Sequence, residues 1–565
     1  MQRAANVTSG DPLDGHAIDW KQVYRRVRNL RQRIFRASRD NDLKKVRSLQ
    51  RLLLRCRANV LVSVRRVTQV NHGKGTPGVD VALITTPEAR AMLCRQLSQL
   101  HRHQVHRVRR VYIPKRQGKR PLGIPTIVDR CVQALVKNAL EPFWEARFEG
   151  ISYGFRPGRG CHDAIEQLFR LARTNTTRPW VLDADIEGAF NNIGHAALVQ
   201  TIGNFPAREL IKQWLEAGYV EEEMLYPTDT GVPQGGVISP LLLNIALHGM
   251  EQALGISYTP NGVLRGTYAL VRYADDLAVL CPTKQAAIEA QHLLATWLGT
   301  RGLRLSEPKT HMRHLTEGFD FLGFNIRYYP APQSSRSGYK LLIKPSRSSI
   351  QQIRQKLKGL WRTHVGSPTV ALINAMNPLI RGWSQYLCIG VASEVFTDLD
   401  NFMYERPQRY MKRRHPTKSS WWRTQKYWGR TSGARQGRWV CQDKERHATL
   451  RKVAWTRIVR HRLVPKTYSP DDPTLQAYWQ QRRTRPHATA ERHGQLAQRQ
   501  QGLCPVCHQA LENDEEIHIH HVVPKKQGGT DAFANLRLVH HPCHRQIHST
   551  SAPLGVRRWL EPWTR

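Results

Sequence analysis

The sequence predicts a multidomain α+β protein whose central sheet presents acids at a strand junction. Three observations carry this. Tyr273-Ala274-Asp275-Asp276 sits between two apolar runs, Leu270-Val271 and Leu277-Ala278-Val279-Leu280, which read as strands. Strand-like and helix-like segments alternate over residues 105–330. A chain of 565 residues has room for roughly three to five domains, and a 40% hydrophobic content supplies their cores.

Taken in order, residues 18–70 read as helical and very basic. Tyr24, Val27, Leu30 and Ile34 mark one face, with Arg25, Arg26, Arg28, Arg31 and Arg33 around it, and Val60, Val64 and Val67 continue the pattern. Gly73-Lys74-Gly75-Thr76-Pro77-Gly78 breaks it. Val108 to Pro114 is strand-like, Asp129 to Leu140 helical, Trp180 to Ile186 strand-like and Glu209 to Ala217 helical. Pro330 to Ser337 reads as a polar linker or loop. Residues 345–428 are mainly helical, with Ile350, Ile353, Leu357, Leu360 and Trp361 at helical spacing. The stretch 406–466 is dense in Lys and Arg, has only Asp443 and Glu445 as acids, and carries Trp421, Trp422, Trp428, Trp439 and Trp455. Cations interleaved with aromatics suit phosphate contacts and base stacking. Residues 480–500 read as a polar helix or linker, and no internal repeat is present.

Charge narrows the class. Lys+Arg number 86 against 44 Asp+Glu, a formal net charge of +42. Dispersed cations in such excess favour a long polyanion, because phosphate neutralisation releases counterions. No run of 18 apolar residues occurs, so no membrane span is expected. Asp11, Asp14 and Asp19, with no apolar core beside them, argue against a signal peptide. Ten Cys do not make a disulfide scaffold, but Cys504, Cys507 and Cys543 are grouped, as in a reducing compartment with one local metal site.

Adjacent carboxylates repel, and a divalent cation is the usual reason a fold tolerates them. On a basic chain this points to metal-assisted phosphoryl chemistry on nucleic acid. Asp275 and Asp276 supply two ligands, and a third is expected at another strand end. Asp185 is the first candidate and Asp183 the competitor; both fall on one face by strand alternation, so parity does not separate them. Near the C-terminus, Cys504-Pro505-Val506-Cys507 and His540-His541-Pro542-Cys543 bring paired soft ligands at a spacing that can close a tetrahedral zinc site, with Cys504, Cys507, His540 and Cys543 as ligands and His541 an alternative for the fourth place. A small polar segment needs such a staple. His520, His521, Asn535, His544 and His548 form a second cluster that one structural zinc cannot absorb, and His544 and His548 share a helix face.

These motifs together resemble a known family. Tyr273-Ala274-Asp275-Asp276 is similar to the palm signature of reverse transcriptases. Thr230 to Leu242, with Pro233-Gln234-Gly235-Gly236 inside it, resembles that family's segment beside the templating base. Arg110 to Lys115 and Arg120 to Pro125 resemble the fingers over the triphosphate. Gly302 to Thr310 and Gly318 to Phe324 resemble the segments closing the palm, and Thr76 to Asp80 the N-terminal extension of group II intron enzymes. The resemblance implies that Asp185, Asp275 and Asp276 hold two Mg²⁺, that Phe190 excludes a 2′-hydroxyl, that Lys115 and Arg120 bind the triphosphate, that Gln234 and Gly235 support the template, and that Lys309 lies near primer or triphosphate. Asn191-Asn192 departs from relatives that carry an acid after the aromatic.

Asn377 to Tyr386 resembles the maturase, or thumb, signature of the same intron-encoded class, and Arg413-Arg414-His415-Pro416 with Lys426-Tyr427-Trp428 fits it. The C-terminal cluster resembles HNH endonucleases, a ββα-metal fold. That implies His521 as general base, His520 and His544 with His548 as ligands of one catalytic divalent ion, Asn535 as the loop brace, and His518 at the surface. The expected layout is a basic helical extension over 1–100, right-hand polymerase fingers and palm over 101–330, an α-helical thumb over 331–430, a basic DNA-binding region over 431–495 and a zinc-stabilised HNH domain over 496–565. The implied partners are group II intron RNA, double-stranded target DNA and deoxynucleoside triphosphates, with no membrane; the implied setting is the bacterial cytoplasm or an organelle. The implied function is reverse transcription, splicing assistance and a DNA nick that primes copying of the intron.

Overall fold

A computed structural model describes residues 17–100, 103–114, 118–173, 176–260, 262–331, 338–429, 439–483, 492–511, 513 and 515–549. It is a multidomain α+β molecule.

The basic N-terminal segment folds as helices Trp20–Arg39, Leu43–Leu54 and Arg57–Arg65. Asp19 and Asp42 cap the first two by accepting from the backbone N–H of Gln22 and Lys45. Their apolar stripe, including Val27, Leu30, Ile34, Leu49 and Leu53, is buried against helix Ile127–Glu145. That helix runs further at both ends than the sequence indicates, and Thr126 caps its start by accepting from the N–H of Asp129. Helix Arg57–Arg65 passes into a π-helical turn Arg66–Val70, and the expected break at Gly73 to Gly78 begins in the 3₁₀ turn His72–Gly75.

Two sheets frame the centre. Strand Val108–Pro114 pairs antiparallel with Lys119–Ile124 and parallel with Tyr219–Glu221, which continues to Met224–Tyr226. The second sheet runs in the order His311–His314, Trp180–Asp185, Asp276–Cys281, Ala269–Tyr273, antiparallel throughout. Leu277 to Cys281 are all buried, since helices Cys161–Leu171 and Lys284–Gly299 pack on this sheet.

Beyond it, Phe319–Phe321, Phe324–Pro330 and Tyr339–Pro345 form a three-stranded sheet. Pro330 pairs with Tyr339, and the expected linker at Pro330 to Ser337 lies, from residue 332 on, outside the described residues. The ladder between Phe324–Pro330 and Tyr339–Pro345 spans the expected domain boundary at 330/331. Helices Arg347–Thr363, Thr369–Leu387, Ser393–Arg414 and Ser420–Tyr427 follow. The segment 456–483 then lies against the first half of the molecule. Helix Arg492–Arg499 packs on strand Leu536–His540, and the Gln500 side chain donates to Leu538 O and accepts from Leu538 N–H. The expected boundary at 495/496 therefore falls inside a helix belonging to the C-terminal unit. Among the described residues no helix is long and apolar enough to cross a membrane.

Candidate active sites and metal centres

The acids meet at one end of the central sheet. Register places Asp185 directly opposite Asp276, and Tyr273 opposite Asp276 on the other side. Asp275 sits in the turn between the two strands. That turn needs Ala274 in the left-handed region, at φ 58°. The turn is anchored by Arg272, which is fully buried and donates to Ala274 O (3.2 Å) and Asn244 Oδ1 (3.1 Å). Asp183 pairs with Ala278 and His311, one step back from the acidic end.

Desolvation, then the charge of Asp185, raises the Asp275 carboxyl above its usual range. Desolvation together with Asp275 and Asp185 pushes Asp276 up to about 6. Asp276 stands exposed at its strand end, beside two like charges. Burial pushes Asp183 up to about 7. Asp275 and Asp276, both held above the usual carboxylate range beside Asp185, form with it a donor set suited to divalent cations, whose charge removes the repulsion.

Cations and aromatics surround the acids. Lys309 forms an ion pair with Asp185, which holds the Lys309 ammonium above its ordinary range. Arg120, on strand Lys119–Ile124, opposes the charge of Asp275. Lys115 lies outside the described residues. Phe190 meets Phe155 edge-on, ring centroids 6.2 Å apart. Phe155 is about half exposed at φ 60°, and it follows Gly154, where a Cβ would strike Ala274 N at 2.4 Å. The Gln234-Gly235 loop is tied to the same wall: Gly123 N–H donates to Gln234 O at 2.7 Å, and Val232 N–H to Phe190 O at 2.6 Å. Among the described residues Gln234 Oε1 is buried without a hydrogen-bond partner.

The second site is a ββα unit of strands Ile517–His521 and Leu536–His540 and helix His541–Ile547. Cys504, Cys507, His540 and Cys543 are all buried, and their donor atoms lie within 4.8 Å of one another. No disulfide joins them. His540 Nε2 lies 3.0 Å from Ala510 O, so it carries the proton and leaves Nδ1, 3.3 Å from Cys507 Sγ, as a lone pair aimed into the cluster. These residues fit a tetrahedral zinc. His541 is outside the group, its ring against His518 instead.

His520, His544 and His548 form a second group that could hold a metal ion, their donor atoms within the same 4.8 Å. Burial, then the neighbouring imidazoles, lowers His520 to about 4, and burial lowers His544, so both offer neutral imidazoles at neutral pH. His521 Nε2 is 2.8 Å from Asp531 Oδ1; the carboxylate can only accept, which leaves Nδ1 of His521 as the basic nitrogen. Asn535 closes the loop, donating to Val523 O (3.0 Å) and Thr530 O (2.8 Å) and accepting from Val523 N–H (2.7 Å).

Sequence reasoning missed Phe155, Arg272 and Asp531. Phe155 had a signal, a bulky residue after glycine in Tyr153-Gly154-Phe155-Arg156-Pro157. Arg272 and Asp531 had none, since their roles come from partners that only the folded chain supplies. The Trp-rich stretch divides: Trp421 and Trp439 are exposed, whereas Trp428 is buried beside Tyr404.

Four known families match parts of the chain. Residues 16–97 match the N-terminal domain of reverse transcriptase, and 113–326 match reverse transcriptase (RNA-dependent DNA polymerase). Residues 350–428 match the group II intron maturase-specific domain and 503–550 HNH endonuclease. Protein YkfC of Escherichia coli is 35% identical over 316 residues, 49% of this chain and 83% of its own length. The group II intron-encoded protein LtrA of Lactococcus lactis is 30% identical over 384 residues, 53% of this chain; this chain spans 62% of LtrA. A telomerase structure from Candida albicans covers 57% of this chain and 61% of its own at 14% identity, with a TM-score of 0.31.

Proposed function

From the premise that this chain belongs to the group II intron-encoded family, with reverse transcriptase, maturase and HNH endonuclease units, we propose how its two sites divide the work of intron mobility. The observation that carries the reading is the register of Asp185 opposite Asp276, with Asp275 in the adjoining turn.

Asp185, Asp275 and Asp276 would hold two Mg²⁺, which supply charge stabilisation for nucleotidyl transfer when bound. Arg120, with Lys115, would grip the triphosphate of an incoming deoxynucleotide. Phe190, braced by Phe155, would press on the sugar and disfavour a 2′-hydroxyl. Gln234 and Gly235 would line the template, with the buried Gln234 Oε1 free to accept from it. Lys309 neutralises Asp185 and lies within reach of primer or triphosphate. The helical unit after the palm serves as thumb and, with the exposed Trp421 and Trp439, as a surface for intron RNA.

At the HNH site, His520, His544 and His548 would hold one divalent cation that polarises the scissile phosphate. His521, oriented by Asp531, would take the proton of the attacking water at Nδ1. Cys504, Cys507, His540 and Cys543 would hold a structural zinc. In the proposed cycle the protein assists splicing of its intron and nicks one strand of double-stranded target DNA. The palm then extends the new 3′ end along intron RNA. The basic stretch 431–495 would contribute DNA contacts.

The test is a double substitution, Asp275→Ala with Asp276→Ala. It should reduce cDNA synthesis on an RNA template by at least about 10³-fold, on the scale of lost electrostatic stabilisation, and leave splicing assistance intact. Persistent polymerisation would remove the palm acids from the chemistry.

A further inference from the structure

Arg65 has no place in either reaction, yet it is among the most deeply buried cations of the molecule, 2% exposed at the end of helix Arg57–Arg65. Its guanidinium lies over the Trp20 ring, 4.4 Å from the centroid, and near Tyr24. Nη2 reaches across to the C-terminal unit, 3.1 Å from Cys543 Sγ and 3.4 Å from Glu515 Oε2. Beside it, Gln546 donates to Ile18 O at 2.8 Å. The metal centre of the nuclease is thus seated on the polymerase's N-terminal extension.

A buried guanidinium is costly unless a counter-charge meets it. Glu515 is a partial answer, because its contact is long and its other oxygen is occupied by the Asn513 amide at 2.8 Å. A neutral thiol is a weak acceptor, whereas a metal-bound thiolate makes a charge-assisted hydrogen bond. Three thiolates around one divalent ion leave a net negative charge, which adds to the Glu515 carboxylate as counter-charge for Arg65. We propose that Arg65 is an outer-sphere positioning residue of the zinc centre, supplied by the N-terminal extension, so that zinc loading and docking of the nuclease domain on that extension are linked. This rests on the zinc reading of Cys504, Cys507, His540 and Cys543. Linkage is reciprocal: the docked extension tightens zinc as much as zinc tightens docking.

The experiment uses the full-length protein. Zinc content is measured by elemental analysis, and zinc transfer to a chromogenic chelator is compared for wild type, Arg65→Gln and Arg65→Lys. Arg65→Gln should weaken zinc retention about 10–100-fold, the usual effect of losing an outer partner, with Arg65→Lys in between. Primer extension should be unchanged in both. Arg31→Gln, which breaks a buried ion pair remote from the metal, should retain zinc as wild type does. Hydrogen exchange on wild type gives a second readout independent of variants: zinc removal should expose amides in 20–35 and 57–70 but not in 276–281. Wild-type zinc retention by Arg65→Gln, equal weakening by Arg31→Gln, or unchanged exchange at 57–70 would each overturn the proposal. Less than one zinc per chain would overturn the zinc reading itself, and the proposal with it.

Discussion

One rung of an antiparallel ladder puts Asp185 across from Asp276, and the consequences are electrostatic. With its carboxyl raised to about 6 from an ordinary value near 3.8, Asp276 holds a proton in the folded protein that the unfolded chain has released. Its contribution to stability is therefore present below about pH 4 and lost as pH rises through 6. A cation reverses the balance, since it binds only the ionised form. Divalent affinity at the palm should rise between pH 4 and 6 and level off above. Calorimetry with Mn²⁺ should detect proton release near pH 5 that fades by pH 7.5; equal release at both would sink the assignment. The same residue-level reasoning applies at the second site. His521→Ala should lower DNA nicking by about 10²–10⁴-fold, the usual worth of a general base, and leave extension of a supplied primer intact. Asp531→Ala should cause a smaller loss, because it frees the imidazole to turn. Loss of both activities in His521→Ala would argue against separate sites.

Individual elements differ in how much of them sequence shows. The two strands flanking Asp275-Asp276 are legible because Leu270-Val271 and Leu277 to Leu280 are unbroken apolar runs, as strands buried on both faces must be. The hairpin Tyr219–Glu221 with Met224–Tyr226 is not, since it is half exposed and its turn uses Glu222 and Glu223 at positive φ instead of a turn glycine. Spacing alone left Asp183 and Asp185 equivalent; only register distinguishes their neighbours. The zinc and histidine groups are legible because their ligands cluster in sequence, whereas Asp531 draws its meaning from a loop that folds back on His521. The Gln234-Gly235 loop shows how tightly an element can be determined by backbone. Gly235 has φ +121°, and a Cβ there would lie 2.5 Å from Gly123 O. Gly235→Ala should add about 1–3 kcal/mol of local strain and raise the KM for incoming nucleotide in primer extension. Gly75→Ala, where nothing lies within 4 Å, should leave it unchanged.

At the scale of the molecule, the segment joining the helical unit to the nuclease is a strap fastened to the polymerase. Asp163 accepts from Val464 N–H and faces His461, both at 2.9 Å, and Arg159 donates to Tyr468 O at 3.1 Å. Lys466 lies over the Tyr258 ring, and Trp479 packs where Gly158 leaves room for it. The strongest fastening is Arg31 of the first helix, which binds both oxygens of Asp471 (2.9 and 2.7 Å) and one of Glu141 (2.9 Å). All three side chains are under 15% exposed. Removing Arg31 leaves Asp471 buried without its ion pair and Glu141 with Lys137 alone, 3.6 Å away, and breaking such a buried pair costs about 3–5 kcal/mol. Arg31→Ala should therefore free the strap before it unfolds the palm, and limited proteolysis should cut within 459–483 while primer extension on a supplied primer persists. Because the strap is what spaces the nuclease from the palm, a coupled assay should separate the two effects. Nicking alone and extension alone would survive in Arg31→Ala, but extension from the enzyme's own nick would fall. Undiminished coupling, with the strap demonstrably loose, would mean that nucleic acid and not the protein holds the two sites in register.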